Sequence, residues 1–179
     1  MKISIMLSAL VLACATTPVL AQTADNPVVL NQPGAQFWNV YGAAQTHKAH
    51  KDKDVQGGGA MQVVITAPTQ NAWDVGASLP VTTAYKKGDK IVVGVYAKLV
   101  SKDPAATVQV PAVIQINAAP YSPAIQQGFI TVTTSWQLLS ITGVANDDYA
   151  ADKTALSLSL GGAVKTLELG PAFILNEGQ

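Results

Sequence analysis

The chain has 179 residues, 49% of them apolar, with eleven lysines, no arginine, nine aspartates, two glutamates and a formal net charge of zero. Without a guanidinium it lacks the planar fork that grips phosphate or carboxylate with two hydrogen bonds. No basic stripe with interleaved aromatics occurs either, so nucleic acid is not an expected partner and a neutral ligand fits better.

Lys2, an apolar run over residues 3–14 and the small residue Ala21 after Val19-Leu20 read as a secretory signal peptide, residues 1–21. The expected location is secreted or periplasmic, in a bacterium. Val11-Leu12-Ala13-Cys14 offers a minor alternative, a lipoprotein anchored through Cys14. Cys14 is the only cysteine, so a chain cleaved after Ala21 has no disulfide and depends on a buried core. No second apolar run approaches the length of a membrane span.

Residues 22–33 are polar and Pro-containing, and read as a flexible start with one possible short strand at Val28-Val29-Leu30. Residues 36–41 form an aromatic cluster of strand type. The stretch 42–59 is the most polar of the chain, ends in three glycines and reads as a loop. Alternation returns at 60–66 and 73–77, and a Lys-Lys-Gly-Asp turn at 86–89 leads into two long apolar arms, 91–100 and 106–117. Between the arms, Ser101-Lys102-Asp103-Pro104 supplies turn chemistry: Asp bonds locally and Pro fixes φ. Further strands follow at 129–133, 136–142, 154–160, 164–169 and 172–175. Many short strands with turn signals between them and no amphipathic helix imply one all-β domain over residues 34–179, an antiparallel β-sandwich or jelly roll.

In the second arm Val108, Val110, Ala112, Ile114 and Ile116 share one face, which a period of two assigns to the core. Gln109, Gln115 and Asn117 share the other, with Gln126 and Gln127 close behind in sequence. Such an amide row is either a solvated sheet face or a surface that bonds hydroxyls.

The order of landmarks resembles the CenC-like β-sandwich carbohydrate-binding modules that accompany bacterial cellulases and xylanases. The matching residues are Gly59-Ala60, Trp73-Asp74-Val75, Lys87-Gly88-Asp89-Lys90 leading to Val95-Tyr96-Ala97-Lys98, Thr133-Thr134-Ser135-Trp136, and the alternating stretch 156–161, spread over residues 34–175. The resemblance implies non-catalytic binding of a neutral polysaccharide or oligosaccharide of the xylan or β-glucan type. It also implies a structural calcium, but where those modules carry a C-terminal carboxylate this chain reads Glu168-Leu169-Gly170-Pro171-Ala172. Only Asp25 and Glu168 remain as weak ligand candidates, so no cofactor is expected.

Sugar recognition needs aromatic rings to cover pyranose C–H faces, and amides or carboxylates to satisfy hydroxyls. The expected site is Trp73 and Tyr121 stacking, with Asp74, Gln109, Gln115, Asn117 and Gln127 bonding hydroxyls. Each has a plainer alternative: a core tryptophan, a turn cap, solvated amides. Trp38 and Tyr41 stay undecided. Tyr96 either lines the same surface or packs beneath it, and Trp136 is expected in the core.

His47 and His50, spaced i and i+3 with Asp52 and Asp54 following, lack the further ligands of a zinc site and read as a solvated charge run, so no metal site is expected. A glycosidase needs two facing carboxylates, and the acidic residues sit mostly in turns. No G-x-S-x-G elbow occurs, and no catalytic residue is assigned. The alternative to glycan binding is a structural or adhesive envelope protein that uses the sandwich for contacts with a protein partner.

Overall fold

The computed structural model describes residues 26–179. The expected signal peptide, Cys14 and Asp25 lie outside them. Among the described residues no helix is long and apolar enough to cross a membrane.

Among the described residues eleven strands build two antiparallel sheets. The first sheet has the order β3 (Gln45–Lys51), β4 (Gly59–Ile65), β11 (Lys165–Asn176), β6 (Lys90–Val100) and β9 (Gln137–Val144), with β1 (Val28–Val29) added along β11. The second has the order β2 (Asn39–Tyr41), β5 (Gly76–Pro80), β10 (Thr154–Ser159), β7 (Thr107–Ile116) and β8 (Gly128–Thr133). Their facing sides close one apolar core. β6 contributes Ile91, Val93, Val95, Ala97 and Leu99, and β10 with its following residue contributes Leu156, Leu158 and Leu160. From β7 come Val110, Ala112 and Ile114, the central three of the five residues the period of two assigns to the core; Val108 and Ile116, nearer the strand ends, are only half-buried. The chain is therefore an all-β antiparallel sandwich.

Three local readings change. Residues 45–51, expected as a loop, are strand β3, paired with β4 from Gln45–Ile65 to Lys51–Gly59. β3 is the outer strand of its sheet and most of its side chains are exposed, so it needs no apolar alternation, and its lysines discourage edge-to-edge association. Residues 26–33, expected as a flexible start with one possible short strand, carry that strand as β1 and are tied down beyond it. Beyond β1 the Asn31 side chain is buried, donating to the Ala172 carbonyl (2.9 Å) and accepting from the Ile174 N–H (2.8 Å) as a missing strand residue would. The two apolar runs at 164–169 and 172–175 are one strand, β11, with a register shift between Leu169 and Ala172. Gly170 occupies that bulge because an added Cβ would press on Val55 and Tyr96, and Pro171 beside it has no N–H to leave unpaired.

Candidate functional site: a neutral cleft on the outer face of the second sheet

The outer face of the second sheet holds a cleft of about 630 Å³. Its floor follows from register. Across four strands Asn39, Ser78, Ser157 and Val113 lie in one row, and Tyr41, Gly76 and Ser159 lie in the next but one. Small side chains in the middle and larger ones at the margins make a trough. Tyr41 lies against Gly76, where an added Cβ would strike the phenol ring, and its hydroxyl is 3.3 Å from Ser157 Oγ.

Two exposed aromatics stand at opposite ends of these strands. Trp73, 67% exposed, belongs to a 3-10 turn at Ala72–Asp74 that leads into β5 near Gly76 and the end of β10. Gly161 pins this turn by donating its N–H to the Ala72 carbonyl at 2.8 Å. Tyr121, 56% exposed, follows β7 beyond Asn117 and lies at the far end. Its N–H closes a turn onto the Ala118 carbonyl (2.7 Å) over a cis Ala119–Pro120 peptide, and its φ is +58°. Along β10 the four steps from Ala155 to Ser159 set the two walls apart by roughly 14 Å of strand.

Of the residues singled out from sequence, Trp73, Gln115, Asn117, Tyr121 and Gln127 line this cleft. Asp74 does not. Its Oδ2 accepts the Asn71 N–H at 2.8 Å and its Oδ1 the Asn71 side-chain amide at 3.4 Å, so the carboxylate caps the turn that carries Trp73. Gln109 also falls outside: it shares the face with Gln115 but sits six residues away, roughly 20 Å along the strand. Tyr41, left open from sequence, lines the cleft, as do Asn39, Ser78, Ser157 and Ser159, which were not singled out. For Ser157 and Ser159 the signal was the alternation of serine with leucine in β10. Every side chain lining the cleft is neutral.

Of the remaining candidates, Trp136, Tyr96 and His50 lie on the outer face of the first sheet. Trp136, expected in the core, is half-buried there, donating Nε1–H to Asp52 Oδ2 at 3.1 Å beneath the Lys98 ammonium, 4.8 Å from the ring centre. Tyr96 is on this face as well, away from the cleft, and donates its hydroxyl to the Gln56 side chain. The Asp54 N–H, then Trp136 and Lys98, hold the Asp52 carboxyl below its usual range. Trp38 is a core residue with its indole N–H on the Gly170 carbonyl (2.8 Å). His47 bonds only to Gln45 (3.0 Å), whereas His50 meets the buried Glu168 carboxylate at 2.8 Å. The other ring nitrogen of His50 faces the Lys51 carbonyl at 3.1 Å. Two acceptors around one imidazole describe an imidazolium, and the Glu168 bond, followed by the Lys51 bond, raises its pKa.

Calcium does not fit at Glu168. Its second oxygen accepts the Gln62 amide at 2.8 Å, so both oxygens are committed to nitrogen donors, and a hard cation needs several free oxygens. Among the described residues no three His, Cys, Asp or Glu side chains are placed to share a metal ion.

No protein-family model and no curated protein matches the chain by sequence. Solved structures do match by fold. A structure described as "CBM4 structure and function" is 18% identical with a TM-score of 0.61, over 79% of this chain and 95% of that one. The second N-terminal cellulose-binding domain of β-1,4-glucanase C from Cellulomonas fimi is 17% identical with a TM-score of 0.61, over 88% and 99%. The CBM22-1 xylan-binding domain from Paenibacillus barcinonensis Xyn10C is 17% identical with a TM-score of 0.55, over 87% and 99%. The fold of this chain is that of the CenC-like carbohydrate-binding modules.

Proposed function

We propose that the cleft binds one chain of a neutral polysaccharide, of the xylan or β-glucan type, without cleaving it. The observation that carries this reading is a neutral trough walled by two exposed rings, Trp73 and Tyr121. Exposed aromatic side chains of this size leave apolar area in water that a pyranose face would cover. Between them Gln115, Asn117, Gln127 and Asn39 offer amide donors and acceptors, and the serines offer hydroxyls, in the mixture that sugar hydroxyls require. Strands in a sheet are spaced by about 4.8 Å, close to the advance of a 1,4-linked pyranose, so a chain lying across the strands meets a new strand with each sugar. Glycoside hydrolysis takes two carboxylates flanking one bond, and the cleft lining has none. The structures with which the fold is shared include domains described as cellulose- and xylan-binding, which favours the same ligand class here. An open, solvated groove yields weak affinity, because ordering and desolvation offset much of the contact energy. In keeping with the leader-like residues 1–21, the protein acts outside the cytoplasm.

Affinity electrophoresis through gels containing xylan, mixed-linkage β-glucan, a soluble cellulose derivative, mannan or alginate tests this. Retardation is expected in xylan or β-glucan and not in alginate. It should be unchanged by salt, because no charge lines the groove. Absence of retardation in every gel, with protein shown to be folded, sinks the reading and favours a protein partner on the same face.

A further inference from the structure

We infer that the polysaccharide recognised by the cleft carries a neutral side branch of one sugar, received by a separate hollow beside the groove; this rests on the polysaccharide-binding reading above. Gln32, Phe37, Leu79, Pro80 and Thr82 line an open hollow of about 150 Å³ next to the β2 and β5 end of the cleft. The two spaces adjoin through the sheet: Pro80 is paired with Ala155, which lines the cleft, and Ser78, two residues before Pro80, is part of its floor. A chain lying over Asn39 and Ser78 passes one step from this hollow. The volume leaves room for a single sugar-sized ring and is too small for a run of main chain.

The lining specifies the chemistry of the occupant. Phe37, 41% exposed, and Pro80 give apolar surface for the C–H face of a ring. The Thr82 hydroxyl donates to the Leu30 carbonyl at 3.3 Å, so what remains of its capacity is lone pairs, which call for a hydroxyl hydrogen from the ligand. A sugar branch supplies that hydrogen, whereas an acetyl ester, able only to accept, leaves the Thr82 oxygen unpaired. The Gln32 amide offers both a donor and an acceptor. No cationic side chain lines the hollow to meet a uronate carboxylate, whose desolvation would be unpaid. The branch is therefore a neutral monosaccharide, with a pentosyl group well suited to the space.

Titration calorimetry with oligosaccharides of one backbone length decides the matter, the probes being unbranched, singly pentosyl-branched, acetylated and uronosyl-branched. The pentosyl-branched form should bind roughly tenfold tighter than the unbranched one, the return on covering one small ring face. The acetylated and uronosyl forms should show no such gain. Thr82→Val and Phe37→Ala should each erase the gain and leave binding of the unbranched form as in the wild type. Should Phe37→Ala fail to fold, Gln32→Ala takes its place. Equal binding of branched and unbranched forms, an equal gain from the ester or uronate, or a gain that survives these substitutions overturns the inference while the cleft reading stands. If no oligosaccharide binds folded protein, the cleft reading fails and the branch site with it.

Discussion

Replacing Trp73 with alanine separates the two roles open to a tryptophan in a sandwich. The residue is 67% exposed, so about a third of it is hidden by protein. A fully buried aromatic removes 150–250 Å² from water, so the hidden third is roughly 50–80 Å² and is worth about 1–2 kcal/mol, part of which alanine retains. A loss of about 1 kcal/mol lowers the thermal midpoint of a domain this size by roughly 2–4 °C. Stacking a sugar on the exposed ring covers about 80 Å² more, about 2 kcal/mol, or roughly thirtyfold in Kd. For a weak binder that loss removes retardation in an affinity gel. Calorimetric melting and titration with a neutral xylo- or gluco-oligosaccharide should therefore show a small change in midpoint beside a large loss of affinity. A midpoint lower by more than about 8 °C would make Trp73 a core residue, and unchanged affinity would remove it from the site.

Tyr121→Gly should weaken binding by a similar factor with little change in midpoint, since glycine relieves the left-handed φ of +58° but gives the unfolded chain more freedom; a large change in midpoint would contradict this. Gly76→Ala should cost about 1–3 kcal/mol and weaken binding, because the added Cβ meets the Tyr41 ring and, at 2.9 Å, the Leu158 carbonyl; wild-type affinity in a folded Gly76→Ala protein would show that the Tyr41 ring is not part of the floor. The His50–Glu168 pair predicts a pH effect on stability alone. Because the folded pKa of His50 is raised above its ordinary 6.5, the stabilisation is fully present below about that pH and is lost as pH climbs through the raised value. With His50 a third exposed, the effect is about 1 kcal/mol or less. Melting curves between about pH 6 and 9 should show this decline in the wild type and not in His50→Gln, and identical pH dependence in both proteins would refute it. Its surroundings are Glu168 and Gln62 from the neighbouring strands with Asp52 and Lys98 beyond, all remote from the cleft, so glycan affinity should not follow the same curve.

What the sequence determined by itself is the content of each strand. A period of two is a property of the extended backbone, so Val110, Ala112 and Ile114 had to share a face opposite Gln109, Gln115 and Asn117 in any sheet containing that strand. The same logic separates Ser157 and Ser159 from Leu156 and Leu158. Polarity without alternation left β3 illegible, since an edge strand is held by backbone bonds to β4 that no side-chain pattern announces. Tertiary structure alone decided which segments meet. It set Trp73 and Tyr121 on opposite sides of one trough, because β5 and β7 both pair with β10 and bring their flanking turns to opposite ends of the strands. It left Gln109 too far along β7 to reach that trough. It turned Asp74 back onto Asn71, since a turn entering a strand has unpaired N–H groups that a nearby carboxylate satisfies. It also buried Glu168 beneath partners from two other strands, where the chemistry of one carboxylate is set by neighbours distant in sequence.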